Sequence, residues 1–273
     1  MHLQQEIVGT YKIAGISCRL ECREENFRAL LVSRYAAFSS SSDGAPEVTV
    51  KVDPTTAPSD GVEARATGPF ARLGGRDPVL TIEGVGFRGA FDEVSGEGWI
   101  TQPPDPTALE TFLTAICAGR LLKNQGFLLH AAAIMTNGDS DVFFGPSGSG
   151  KTTVAELIGK GVITDEITAI RREDEGYVVS AVPWRGQSLT APLSGLFRLR
   201  KARETAFSPL SPIEALRQLL PSVFFPRADA REIDRFLEIG GDLVERVPCY
   251  EMRFTPDGSF WAAIPRTRGA GAS

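Results

Sequence analysis

A chain of 273 residues suits one large domain or a main domain with a smaller partner. Its hydrophobic content of 42% and charged content of 23% are ordinary for a globular protein, and a net charge of −5 gives no electrostatic footprint for nucleic acid. Four scattered cysteines and two histidines, His2 and His130, supply no zinc set, and no apolar run reaches bilayer length. Cys18 and Cys22 read as two positions in or beside a strand rather than as a redox pair. With no basic-then-apolar leader at the start, the expectation is a cytoplasmic protein without a membrane partner.

Residues 1–101 read as an α+β region. Ile7 to Leu20 holds strand-like stretches broken at Ala14-Gly15, and Glu24 to Phe38 is helical, with Phe27, Leu30, Leu31, Tyr35 and Phe38 near helical spacing. Ser39 to Ala45 is a polar, low-complexity connection. Short strands are expected at Glu47–Val52, Val79–Ile82 and Trp99–Thr101.

A second region, 102–266, opens with Asp105 as an N-cap and Pro106 at the first helical position. This helix is expected to run to about Asn124 and to stop at Gly126. Phe127 to Met135 reads as a strand, and Asn137-Gly138 is a hairpin signal before a strand at Asp141–Phe144. The next helix is expected to reach Lys160 and end at Gly161, followed by a short strand at Val162–Thr164. Strands at Ala169–Arg172 and Tyr177–Val182 come next. A helix from Ser211-Pro212 to before Pro221 follows, then one over Asp229 to Arg246 that Gly240-Gly241 could interrupt. Glu251–Phe254 and Ser259–Ile264 are expected to form a closing hairpin, with a flexible tail at 267–273.

Between the Asp141–Phe144 strand and the helix that follows lies Gly145-Pro146-Ser147-Gly148-Ser149-Gly150-Lys151-Thr152-Thr153, a complete Walker A pattern. Strand, glycine loop and helix N-terminus are the context that this motif needs. Small residues let consecutive N–H groups turn inward as an anion nest, and the positive end of the helix dipole lies behind them. In this setting Lys151 supplies a point charge to nucleotide phosphates and the Thr152 hydroxyl a ligand to Mg²⁺.

Asp165 and Glu166 end the short strand that follows the loop helix. A carboxylate there either caps a strand in solvent or returns beside the loop, where it can bind Mg²⁺ or accept a proton from an incoming hydroxyl. His130 lies in the apolar run Leu128–Ile134, where it is either a structural hydrogen-bonding residue or a group facing the phosphate. Arg185, in Pro183-Trp184-Arg185-Gly186, can offer a planar cation to a transferring phosphoryl group or be a surface arginine. Arg198, Arg200, Lys201 and Arg203 read as a solvated basic face rather than a phosphate-reading patch.

Together, Leu129-His130-Ala131, the hairpin, Val142-Phe143-Phe144-Gly145, the loop Ser147–Thr153 and Thr164-Asp165-Glu166 resemble the superfamily that joins HPr serine kinase/phosphorylase with phosphoenolpyruvate carboxykinase. The resemblance implies an α/β fold: a P-loop kinase core of the carboxykinase/HPr-kinase type with a mixed sheet, preceded by the N-terminal α+β region. It places His130 near the transferred phosphate, and Lys151 and Thr152 on the phosphates and metal. It also matches Asp165-Glu166 to a double-aspartate motif that supplies the catalytic base and a metal contact. Relatives often form homo-oligomers. The chain is shorter than a carboxykinase and lacks the C-terminal signature of the HPr kinase/phosphorylases, so neither phosphorolysis nor HPr as substrate follows. The expectation is an ATP- and Mg²⁺-dependent kinase acting on a hydroxyl, a serine of a peptide or protein. A small-molecule kinase on the same core and an ATP-binding regulatory protein are the alternatives. No guanine-specifying Asn-Lys-x-Asp or Leu-Ser-Gly-Gly signature points to a switch GTPase or an ABC protein.

Overall fold

Alternating buried and exposed side chains build the first sheet of the computed structural model, which describes residues 7–41, 44–55, 72–174 and 176–265. Strands β1 (Ile7–Ile13) and β2 (Ile16–Cys22) form a hairpin that turns at Ala14 and Gly15, both at positive φ. Cys18 and Cys22 sit on β2, and all four cysteines are buried and free. Helix α1 (Glu25–Tyr35) starts at Glu24, whose carboxylate accepts from the Asn26 and Phe27 amides. It stops at Tyr35, short of the expected Phe38, because Ala36–Phe38 tightens into a 3₁₀ turn.

The rest of this sheet is β3 (Val48–Asp53), β4 (Arg72–Gly74), β5 (Val79–Gly84), β6 (Phe87–Asp92) and β7 (Glu97–Thr101). The order is β1-β2-β3-β7-β6-β5-β4, with β2, β3 and β7 parallel. Neither β4 nor β6 was expected from the sequence. Glycine at the centre of β6 reads as a turn, but a Cβ at Gly89 would lie 2.6 Å from the Phe112 ring and from the Trp99 carbonyl, so this glycine admits a helix onto the sheet. That helix is α2 (Pro106–Lys123), with Asp105 accepting from the Thr107 amide as its cap. It ends at Lys123, and Gln125 rather than Gly126 takes the left-handed conformation that follows, because Gly126 is already the first residue of the next strand.

The second sheet contains β8 (Gly126–Thr136), β9 (Asp139–Phe144), β10 (Val162–Thr164), β11 (Ile167–Glu173), β12 (Gly176–Ala181), β13 (Thr190–Lys201), β14 (Ala206–Pro209) and β15 (Cys249–Phe254). Asn137 and Gly138 both take positive φ and close the β8–β9 hairpin, the geometry that a two-residue loop demands. Strand β8 pairs β9 and β11, β11 pairs β12, and β13 pairs both β12 and β9, so the pairings close a ring of five strands. Strand β13 lies between β9 and β15 and is parallel to both.

Helices α3 (Lys151–Ile158), α4 (Pro212–Leu219), α5 (Ala230–Arg246) and α6 (Phe260–Ala263) complete the unit. Helix α5 runs unbroken through Gly240-Gly241. A Cβ at Gly240 would come within 2.7 Å of Leu216, so this glycine allows close α4–α5 packing. The expected second arm of the closing hairpin is instead α6. The Asp257 carboxylate accepts from the Ser259 amide and hydroxyl and turns the chain, and Phe260 is buried edge-on against Phe254 at 5.5 Å.

Among the described residues the fold is mixed α/β, with two mixed sheets and six α-helices, and no helix is long and apolar enough to cross a membrane. Packing divides the chain into Met1–Arg120 with Phe225–Ala228, and Leu121–Phe224 with Asp229–Ser273. The sequence-based boundary at residues 101 and 102 places all of α2 with the second region, whereas packing groups it with the first as far as Arg120. The expected tail at 267–273 lies outside the described residues.

Candidate functional site

The phosphate-loop sequence joins β9 to α3 inside the second unit. Phe143 on β9 and Val154 on α3 share a buried cluster with Phe197, Leu199, Met252, Phe254 and Phe260, and this packing fixes both ends of the loop. Gly145, Gly148 and Gly150 all take positive φ, at 148°, 76° and 109°. Gly150 caps α3, and a Cβ there would lie 2.6 Å from the Phe254 ring, so conformation and space both require glycine. Around Gly148 nothing stands within 4 Å of a Cβ position, which leaves that backbone open to a ligand. The Lys151 ammonium folds back over the loop and donates to the carbonyls of Gly145 (3.0 Å) and Pro146 (3.3 Å). The Ser149 hydroxyl is buried without a hydrogen-bond partner among the described residues.

Helix α3 ends earlier than expected. Gly159 adopts the left-handed conformation and its amide donates to Ala155, the usual glycine stop. Gly161 serves the next step, since a Cβ there would lie 2.1 Å from the Met135 carbonyl as the chain enters β10.

Strand β10 lies antiparallel to β8 and delivers Asp165-Glu166 beside the loop. Thr164, itself buried, organises this turn. Its hydroxyl donates to the Arg185 carbonyl and accepts from the Glu166 and Ile167 amides at 3.3 Å each. The Glu166 carbonyl accepts from Ala131 at 3.1 Å. Its carboxylate pairs with the Arg185 guanidinium at 2.9 Å. Asp165 is half-buried and makes no hydrogen bond or ion pair among the described residues.

His130 faces Ile167 across the β8–β11 pairing. Burial pushes its imidazole below the usual histidine range, and the charge of Lys151 adds to this. The Glu166 carboxylate and backbone oppose it. Lys151 is likewise held below the ordinary lysine range by burial, with Glu166 opposing. Histidine, lysine and glutamate are therefore close enough to sense one another.

His130, Lys151, Thr152, Asp165 and Glu166 line one cleft of about 270 Å³, together with the loop residues Ser147, Gly148, Gly150 and Thr153. Gly145 and Ser149 shape the loop from behind without lining the cleft. Arg185 does not line it either and reaches it only through Glu166. Lys201 does line it, although the sequence reading placed it in a solvated basic face. The signal was strand alternation: Phe197 and Leu199 face the α3 core and Lys201 is next in that series, whereas Arg198 and Arg200 turn to Glu251 at 3.1 and 3.8 Å.

The site fits a nucleotide polyphosphate with Mg²⁺. Glycines in anion-nest conformations, an open backbone at Gly148 and a lysine at the helix start are phosphate-binding features. Among the described residues no three or more His, Cys, Asp or Glu gather into a metal cage. One hydroxyl, Thr152, and two carboxylates, Asp165 and Glu166, match the ligands that Mg²⁺ uses when phosphates complete its shell. No protein-family model matches the chain, and no curated protein matches it.

Proposed function

We propose that the chain is an ATP-dependent kinase of the HPr-kinase and carboxykinase type, transferring a γ-phosphoryl group to a hydroxyl, that of a serine in a peptide or protein. The observation that carries this reading is Asp165, a carboxylate without a partner among the described residues, in the same cleft as Lys151 and Thr152. Binding a nucleotide needs no such base, whereas phosphoryl transfer to a hydroxyl does.

Each residue then has a distinct task. The loop amides and the Lys151 ammonium hold the phosphate chain, with Lys151 exchanging the Gly145 and Pro146 carbonyls for phosphate oxygens. Thr152 and Glu166 would hold Mg²⁺, which would supply neutralisation of charge on the phosphates. Asp165 accepts the proton of the acceptor hydroxyl as the hydroxyl oxygen bonds to the γ-phosphorus and the bond to the β–γ bridging oxygen breaks, releasing ADP. Arg185 fixes the Glu166 carboxylate, and neutral His130 donates or accepts a hydrogen bond beside the reacting group. The buried side of the cleft, where Lys151 sits, strengthens these interactions relative to water.

Transfer of ³²P from [γ-³²P]ATP to a serine-containing peptide library, with Mg²⁺, tests the reading. Acceptor labelling that is lost in Lys151→Ala supports it. Labelling of no hydroxyl acceptor, with only slow hydrolysis that no acceptor changes, favours an ATP-binding protein instead.

A further inference from the structure

The phosphate loop supplies one cation, and the strand next to it supplies another. Strand β9 ends at Phe144, opposite Arg198, whereas its parallel neighbour β13 runs on through Leu199, Arg200 and Lys201. That extension carries β13 past the loop. The Leu199 carbonyl lies 3.3 Å from a Cβ position on Gly145, and Lys201 Cε lies 3.7 Å from one on Gly150. Since side chains alternate along a strand, Lys201 follows Phe197 and Leu199 on the α3 face and emerges where that core ends, at the start of the helix.

The neighbouring arginines are already engaged. Arg198 donates to Gln218 and Glu251, and Arg200 faces Glu251. The Lys201 side chain has no hydrogen bond or ion pair among the described residues, yet it lines the cleft with Lys151. Of the two carboxylates in that cleft, Glu166 is paired with Arg185. The lining therefore sets two lysine ammonium groups against one uncommitted carboxylate, Asp165, a balance that favours an anionic ligand.

We propose that Lys201 is a second phosphate-binding residue, contacting the polyphosphate chain of a nucleoside di- or triphosphate beside Gly150 and so completing the cradle that Lys151 begins. This inference rests on the kinase reading above and names a residue outside the Walker A pattern and the acid pair. Lys201 contributes point charge without a fixed fork, so Lys201→Arg should keep most of its effect.

Calorimetric titration of the full-length chain with ATP, ADP and adenosine in Mg²⁺ buffer tests the assignment. In Lys201→Ala, affinity for ATP and ADP should fall about tenfold or more, as expected for a lost charge-assisted contact. Affinity for adenosine should be unchanged. The salt dependence of ATP binding should become shallower. Lys201→Arg should stay within a few-fold of wild type, and Arg200→Ala should bind as wild type. Lys201 is exposed, so the unfolding midpoint of Lys201→Ala should match wild type. Wild-type ATP affinity in Lys201→Ala, with affinity lost in Lys151→Ala, would overturn the role of Lys201 and leave the kinase reading standing. Wild-type affinity in both variants would overturn both.

Discussion

The Arg185 guanidinium stands 2.9 Å from the Glu166 carboxylate, while the Arg185 carbonyl accepts from the Thr164 hydroxyl. A turn far along the chain thus fixes one acid of the Asp165-Glu166 pair by both backbone and side chain. Gly186 permits the approach, because a Cβ there would come within 2.3 Å of the Ile163 carbonyl. The two acids consequently differ in environment although they are neighbours in sequence: Glu166 is held and Asp165 is not.

Breaking that pair should affect catalysis far more than folding. Both partners are substantially exposed, at 52% for Arg185 and 40% for Glu166, and such pairs are worth under about 1 kcal/mol. Arg185→Ala should therefore shift the unfolding midpoint by no more than a few degrees. It should lower kcat by about tenfold or more while leaving nucleotide affinity within a few-fold, because it releases Glu166 rather than the phosphate loop. Loss of ATP affinity with kcat unchanged would instead place Arg185 on the nucleotide.

His130 gives a pH signature. Its folded-state pKa is lowered from 6.5, by burial first and by Lys151 second. The unfolded chain therefore binds a proton before the folded one does. Stability from this residue is full above about pH 6.5 and is lost as pH falls from there through the folded value. Unfolding curves at pH 7.5, 6.5 and 5.5 should show this loss, and His130→Gln should reduce it. With two histidines in the chain, NMR titration can assign the lower pKa directly. A His130 pKa above 6.5 in the unliganded protein would contradict the burial argument.

Gly150→Ala combines a φ of 109° with a Cβ 2.6 Å from Phe254. Left-handed strain alone costs about 1–3 kcal/mol. Denaturant titration should show destabilisation of at least that order, together with loss of ATP binding. A variant of unaltered stability would mean that the loop relaxes freely and that Phe254 does not fix it.

The elements that frame the site were legible because local chemistry determines them. Asn137-Gly138 has few conformations other than a tight hairpin turn, Asp105-Pro106 and Asp229 start helices by capping, and the Walker A spacing defines its own strand and helix. Val162–Thr164 was likewise found in its expected place as β10. What escaped was set by tertiary packing. Strand β13 was hidden because Pro192, Ser194 and Gly195 interrupt its apolar pattern and arginines alternate through its second half. Lys201 was hidden with it, since its approach to the loop depends on the parallel β9–β13 register. The partition of roles within Asp165-Glu166 was equally out of reach, because Arg185 meets Glu166 through a contact between distant turns.

Whether Asp165 is the base is decided by measuring ATP binding and phosphoryl transfer side by side in Asp165→Asn. The substitution keeps the size of the side chain and removes its capacity to take a proton. ATP affinity should stay within a few-fold of wild type, and transfer to a hydroxyl acceptor should fall by about 10²-fold or more, the usual contribution of a general base. Transfer at the wild-type rate would contradict that role.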